Sequence, residues 1–136
     1  MNAARQIKVL LVDDHWFIRA GLVSAFDSEP DLRVVGETDN GESALALCSE
    51  LHPDVVILDQ RMPGMDGITC LGEIRRKFPG VRILLHSVDP DPRLEETSRR
   101  AGAHGFLPKS AGRDALLMAI RGLFPGDPSS APGRAP

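Results

Sequence analysis

The chain has only two cysteines, Cys48 and Cys70, and they fit no metal or redox spacing. That excludes a small disulfide-built scaffold, and both thiols are expected to be buried small hydrophobes in a reducing compartment. No apolar run approaches the roughly 18 residues of a membrane span. Met1 to Lys8 offers no apolar signal region. A soluble cytoplasmic protein with no membrane partner is therefore expected. Positive charge is not in excess: 16 basic residues against 19 acidic ones leave a net charge of −3. Such a surface has no field to draw in nucleic acid. A Gly-x-Gly-x-x-Gly run after the first strand is absent, as is a Walker loop, which speaks against nucleotide binding.

What is present is enough for one domain: 136 residues, of which 42% are apolar. The stretch that organises the rest is Val55-Val56-Ile57-Leu58-Asp59, followed by Gln60 to Gly67. Four aliphatic residues in a row read as a strand buried on both faces. Asp59 ends that strand, Pro63, Gly64 and Gly67 mark a loop, and Asp66 is placed to cap the next helix. A carboxylate is thus expected at the carboxyl end of a central strand. In open α/β sheets ligands bind at that edge.

The remaining elements alternate. Ile7 to Val12 reads as a first buried strand ending in Asp13-Asp14, with a helix from His15 to Phe26 that Asp14 could cap. Leu32 to Gly36 is a second strand, and Asn40-Gly41-Glu42 opens a second helix, broken at His52-Pro53. Ile68, Leu71, Ile74 and Phe78 mark a third helix, and Val81 to Leu85 a fourth strand leading to His86 and Ser87. Asp91-Pro92 starts a fourth helix, to Ala103, with so few apolar residues that it should be loosely held. His104 to Leu107 is a short fifth strand, and Ser110 is placed to cap a fifth helix from Ala111 to Phe124. That helix is apolar nearly all round. The surplus of Leu116, Leu117, Ile120 and Phe124 over one buried stripe suggests a homodimer contact through it. From Pro125 the chain holds four of its eleven prolines with Gly, Ser and Ala, which reads as a flexible linker or tail over residues 125-136. The βα alternation implies an α/β fold with a parallel sheet and helices on both faces.

If the strands are parallel, Asp13, Asp14, Asp59, Ser87 and Lys109 converge on one sheet edge. Clustered carboxylates repel unless a cation offsets them, and Mg2+ is the economical choice. Lys109 supplies a point charge for a phosphate oxygen, and Ser87 a hydroxyl donor. Carboxylate nucleophile, metal, lysine and hydroxyl are the parts needed for phosphoryl transfer onto Asp59. Taken singly, each residue has a plainer reading: a helix cap for the acidic pair, a loop residue for Asp59, a solvated charge for Lys109, a core aromatic for Phe106. Trp16 either shades the site or covers the first helix. His15, His52 and His104 read as surface or packing residues.

Asp13-Asp14, Asp59 with Met62-Pro63 and Gly67, Ser87, and Gly105-Phe106-Leu107-Pro108-Lys109, in that order, resemble the receiver domain of bacterial two-component response regulators. Asp-Asp-His before a helix and the Gly-Ala-x-Gly-Phe-Leu run are most similar to the NarL/FixJ subgroup. The resemblance covers about residues 6 to 124. It implies a flavodoxin-like three-layer sandwich with strand order 2-1-3-4-5, residues 1-124 forming the receiver domain. It also implies a phosphorylation-driven switch rather than an enzyme acting on a separate substrate. Asp59 would accept phosphate from a sensor histidine kinase. Asp14 and Asp59, with the backbone carbonyl of Arg61, would bind Mg2+ directly, and Asp13 through water. Lys109 would pair with the phosphate, while Ser87 and Phe106 carry the switch. In the subgroup, DNA is bound by a helix-turn-helix after the linker, so direct nucleic-acid binding by this chain is not expected. Pro108 before the lysine and Ser110 after it depart from the usual pattern. A haloacid-dehalogenase-like phosphatase would need a second Asp in Asp59-Gln60-Arg61. A receiver used only as a binding module usually loses an acidic or lysine position, and none is lost here.

Overall fold

The computed structural model describes residues 5–88 and 91–125. The expected tail, residues 125-136, lies outside that range after its first residue, and so does Asp89. Five strands, β1 (Ile7–Val12), β2 (Leu32–Thr38), β3 (Val55–Leu58), β4 (Arg82–Ser87) and β5 (Gly105–Pro108), form one parallel sheet in the order β2-β1-β3-β4-β5. Five helices connect or follow them: α1 (Trp16–Asp27), α2 (Gly41–Leu51), α3 (Gly67–Lys77), α4 (Pro92–Ala101) and α5 (Arg113–Gly122).

The unbroken aliphatic runs of the central strands have a direct cause. Side chains alternate between the two faces of a sheet, and here both faces are covered. Leu10, Val12, Val56, Leu58, Ile83 and Leu85 pack with Ala44, Cys48, Cys70, Leu71 and Ile74 from α2 and α3. Ile7, Val9, Leu11, Val55, Ile57 and Leu84 pack on the other face with Phe26, Leu116, Leu117 and Ile120 from α1 and α5. The result is the expected three-layer sandwich. Cys48 and Cys70 are free and buried, and burial pushes their thiols up to about 11 and about 12.

Asp66 and Asp91 cap their helices as expected, and Asn40, at the opening of α2, is a third cap. Asn40 accepts from the Ser43 amide at 2.8 Å, Asp66 from Thr69 at 2.9 Å, and Asp91 from Arg93 at 2.9 Å. Two other expected caps do not form. Helix α1 begins one residue later than expected, so His15 is its N-cap and Asp14 stands too early to reach the free amides. Ser110 lies in a short 3-10 turn, Lys109–Ala111, and α5 starts only after Gly112, whose φ of 92° turns the chain. Helix α4 is also shorter than expected. Its buried residue is Ser98, with Leu94 and Ala101 only partly covered.

Helix α5 corrects the sequence reading most. Leu116, Leu117 and Ile120 are all in the core, so the apparent surplus is largely consumed there. Phe124 is half-buried, and the Arg82 guanidinium stacks over its ring at 5.6 Å. The large apolar side chain that α5 does leave in solvent is Met118, 74% exposed. Arg121 ties the same helix to the loop before β2. It makes a bidentate pair with Asp31, both contacts 2.7 Å, and meets Glu29 at 2.8 Å.

Candidate functional site

The sheet register decides where the site falls. Val12 pairs with Leu58 and Leu58 with Leu85, so β1 and β3 end level, while β4 and β5 run two residues further to the Ser87–Pro108 pair; all four carboxyl ends open onto one edge. The ladder continues one residue beyond: the Asp13 amide donates to Thr38 O at 3.0 Å, and the Asp59 amide to Val12 O at 2.9 Å. Both carboxylates are therefore fixed at the backbone. Gly67 closes the loop from behind. A Cβ there would lie 2.5 Å from the Asp59 carbonyl oxygen, so α3 can begin this near only with glycine.

Asp59 is 3% exposed. Its Oδ1 accepts from the Arg61 amide at 3.5 Å, and its Oδ2 lies 3.4 Å from Lys109 Nζ. Lys109 Nζ is nearer to Asp13 Oδ2, at 2.6 Å. Burial raises the Asp59 carboxyl to about 6, with the Asp13 charge acting in the same direction; Lys109 and the Arg61 amide hold it down. Among the described residues, three buried side-chain atoms lack a hydrogen-bond partner: Asp59 Oδ2, His86 Nδ1 and Lys109 Nζ. All three belong to this edge. The two charged ones are within ion-pair distance but are not aligned as a hydrogen bond. Buried polar atoms left this way invite a further ligand.

The other expected residues are placed unequally. Asp14 is at the mouth, with Oδ1 3.1 Å from His15 Nδ1. Ser87 is buried at the end of β4, opposite Pro108. Phe106 is not on the acidic edge. It is half-buried on the outer strand and lines a cavity of about 210 Å3 with Glu95, Ser98 and Arg99. Trp16 covers nothing: it is 71% exposed, edge-on to Phe17 at 6.1 Å.

Two histidines carry more than the sequence reading gave them. His15 Nδ1 lies 3.1 Å from Asp13 Oδ1 as well as from Asp14, and the ring joins Asp13, Asp14 and Asp59 in one cluster of metal-ligating type. Its adjacency to the acidic pair was the available signal. His86 is buried beside Lys109 and titrates at about 4, lowered by burial first and the lysine charge second. It lines a groove of about 270 Å3 between α1 and α5, with Phe17, Ile18, Leu22 and Leu116. His104 has the expected packing role, its Nδ1 accepting from the Ile83 amide at 3.0 Å.

The family model for the response regulator receiver domain matches residues 9–121. The chain belongs to that family. Response regulator GacA of Pseudomonas aeruginosa is 38% identical over 120 residues, covering 88% of this chain and 56% of GacA. This chain thus spans about half the length of the curated relatives it matches. The signal receiver domain of a NarL response regulator from Mycobacterium tuberculosis is 37% identical, with a TM-score of 0.81 over 85% of this chain and 94% of that one. A CheY from Borrelia burgdorferi, solved in a complex with CheX, BeF3 and Mg2+, is 30% identical, with a TM-score of 0.83 over 88% and 90%. This chain is accordingly a NarL/FixJ-type receiver domain of two-component signalling, a phosphoacceptor switch by family. No helix among the described residues is long and apolar enough to cross a membrane.

Proposed function

We propose that Asp59 accepts a phosphoryl group from a sensor histidine kinase in a Mg2+-dependent reaction, and that the phosphorylated receiver drives a transcriptional output through a helix-turn-helix linked after residue 124. The observation that carries this reading is the buried Asp59 carboxylate at the end of β3, with Lys109 Nζ 3.4 Å away and Asp13 beside it. At neutral pH a carboxyl titrating at about 6 is mostly ionised, so one Asp59 oxygen can attack phosphorus. The bond from phosphorus to the donor nitrogen then breaks, and the donor imidazole leaves. Lys109 offsets charge on the phosphoryl oxygens, and the dry edge strengthens that attraction.

The donor set fits a hard divalent ion: oxygen ligands from Asp13, Asp14 and Asp59, with a buried acceptor still unpartnered. When bound, Mg2+ supplies positive charge against the incoming phosphoryl oxygens. Asp59 and Asp14 would hold it directly with the Arg61 carbonyl, and Asp13 through water. The Borrelia CheY complex contains a divalent ion and a small phosphate-like anion, which supports the same pairing here. The donor kinase docks beside exposed Trp16 and Phe17, where the apolar groove to Leu116 opens next to Lys109. Ser87 then moves toward the phosphate and Phe106 turns inward. The half-buried position of Phe106 under the thinly anchored α4 supports that motion. Self-association uses the Met118 face of α5. This chain alone does not bind DNA.

The test is incubation with a small phosphodonor and Mg2+, followed by mass-spectrometric mapping. A single acyl phosphate on Asp59, lost in Asp59→Asn and in chelator, is expected. Wild-type yield in Asp59→Asn would overturn the reading.

A further inference from the structure

His15 has no part in the function proposed above, yet its ring is built into the acidic edge. Its backbone amide donates to Asp13 Oδ1 at 2.9 Å, which sets the start of α1 and turns the side chain back over the strand ends. Nδ1 then stands 3.1 Å from Asp13 Oδ1 and 3.1 Å from Asp14 Oδ1. One ligand atom each from Asp13, Asp14, His15 and Asp59 falls within a 4.8 Å cluster. In octahedral coordination with bonds of about 2.1 Å, neighbouring ligand atoms lie about 3.0 Å apart. The nitrogen thus sits from Asp14 Oδ1 at the spacing of adjacent corners of one coordination sphere, and within hydrogen-bond distance of Asp13 Oδ1, which stands one water further from the ion. A second observation points to a ligand independently. Asp59, deep in the same cluster, keeps a buried oxygen with no hydrogen-bond partner.

Donor type decides which ion such a sphere prefers. Carboxylate oxygens suit Mg2+, which dehydrates reluctantly and gains little from nitrogen. An imidazole nitrogen suits Fe2+, Ni2+, Cu2+ and Zn2+, and the affinity of a mixed nitrogen and oxygen site climbs from Mn2+ through Fe2+ and Ni2+ to Cu2+ before falling back at Zn2+. We infer that His15 supplies a nitrogen ligand to the divalent-cation site, so that this chain holds an imidazole-binding transition ion more tightly than Mg2+. The inference rests on the acidic edge being a cation site and specifies the class of ion it takes. A consequence is that transition ions and Mg2+ compete at the phosphoacceptor edge.

The test is calorimetric titration of the folded receiver with Ni2+ and, separately, with Mg2+, for wild type, His15→Ala and Asp14→Ala. Nitrogen-15 spectra of the histidine rings with Zn2+ give a readout independent of phosphorylation. His15 is partly exposed at a helix start, so its removal leaves the core untouched. The other three histidines remain in the variant, and any binding there is common to both proteins. Wild type should bind Ni2+ more tightly than Mg2+. His15→Ala should lose about 10- to 100-fold in Ni2+ affinity with less than about a threefold change for Mg2+, and Zn2+ should shift the His15 Nδ1 signal. Equal Ni2+ affinity in His15→Ala, or parallel losses for both ions, would overturn the nitrogen ligand while leaving the acidic site standing. Unchanged binding of both ions in Asp14→Ala would instead overturn the cation site, and this inference with it.

Discussion

Lys109 Nζ lies 2.6 Å from Asp13 Oδ2 but 3.4 Å from Asp59 Oδ2. The cation is therefore held mainly by the carboxylate that is not the proposed acceptor. Asp59 feels its charge without being tied to it by an aligned hydrogen bond, which keeps a free oxygen on the reactive residue. Removing the cation should show this division of labour. In Lys109→Met, Asp59 should titrate well above its present value of about 6, since a lowering influence is lost and the Asp13 repulsion remains. Carbon-13 carboxyl titration measures it, and an unshifted Asp59 would refute the electrostatic role.

Asp59→Asn should be more stable than wild type at neutral pH in chelator. The Asp59 carboxyl is raised in the fold from 3.8 to about 6, so between these values the native state binds more protons than the unfolded chain. Its contribution is favourable below about pH 4 and is lost as pH rises through about 6. The variant lacks that loss. Thermal melts at pH 4 and pH 7.5 should show the gain at the higher pH only.

His86 has the opposite dependence. It is buried neutral and titrates at about 4 rather than 6.5, so the unfolded chain takes up the proton first. Its contribution is fully present above about pH 6.5 and falls as pH drops toward 4. Denaturant midpoints over that window should slope less in His86→Leu than in wild type. Superimposable slopes would show that the ring is hydrated.

On α5, Met118→Glu and Leu117→Glu should fail differently. Leu117 is buried in the core, and a carboxylate there should cost on the order of 4 kcal/mol and unfold much of the sample. Met118 faces solvent, so Met118→Glu should keep the melting temperature within a few degrees while weakening any self-association. Sedimentation of phosphorylated protein, with circular dichroism as the folding control, separates the two. A phosphorylated wild type that stays monomeric at every concentration would remove the Met118 surface as a dimer contact.

Cys48 and Cys70 should resist thiol reagents in the native state, because burial keeps both protonated well above neutral pH. Labelling should proceed at the rate of unfolding. Prompt reaction of either thiol would show that the α2–α3 face opens locally.

The α/β class, the placement of Asp13, Asp59 and Lys109 on one edge, and the caps by Asp66 and Asp91 were legible in the residues, whereas the sheet order came with the family resemblance. The reason is that each depends on local pattern: two-faced burial forces continuous aliphatic strands, and parallel strands of this kind turn their carboxyl ends to one edge. What the sequence could not decide was how side chains distribute their partners in three dimensions. Leu116, Leu117 and Ile120 looked like surplus because helical periodicity cannot show how wide a stripe the β1–β3–β4 face will cover. His15 looked like a surface residue because its ring orientation follows from where α1 starts, one residue later than the pattern implied. His86 gained its buried, partnerless nitrogen from the neighbouring helices, not from its own strand. Distances such as 2.6 Å against 3.4 Å at Lys109 arise from sheet register and loop closure over Gly67. Those are tertiary facts: they depend on residues 46 to 96 positions apart in the chain meeting at one edge.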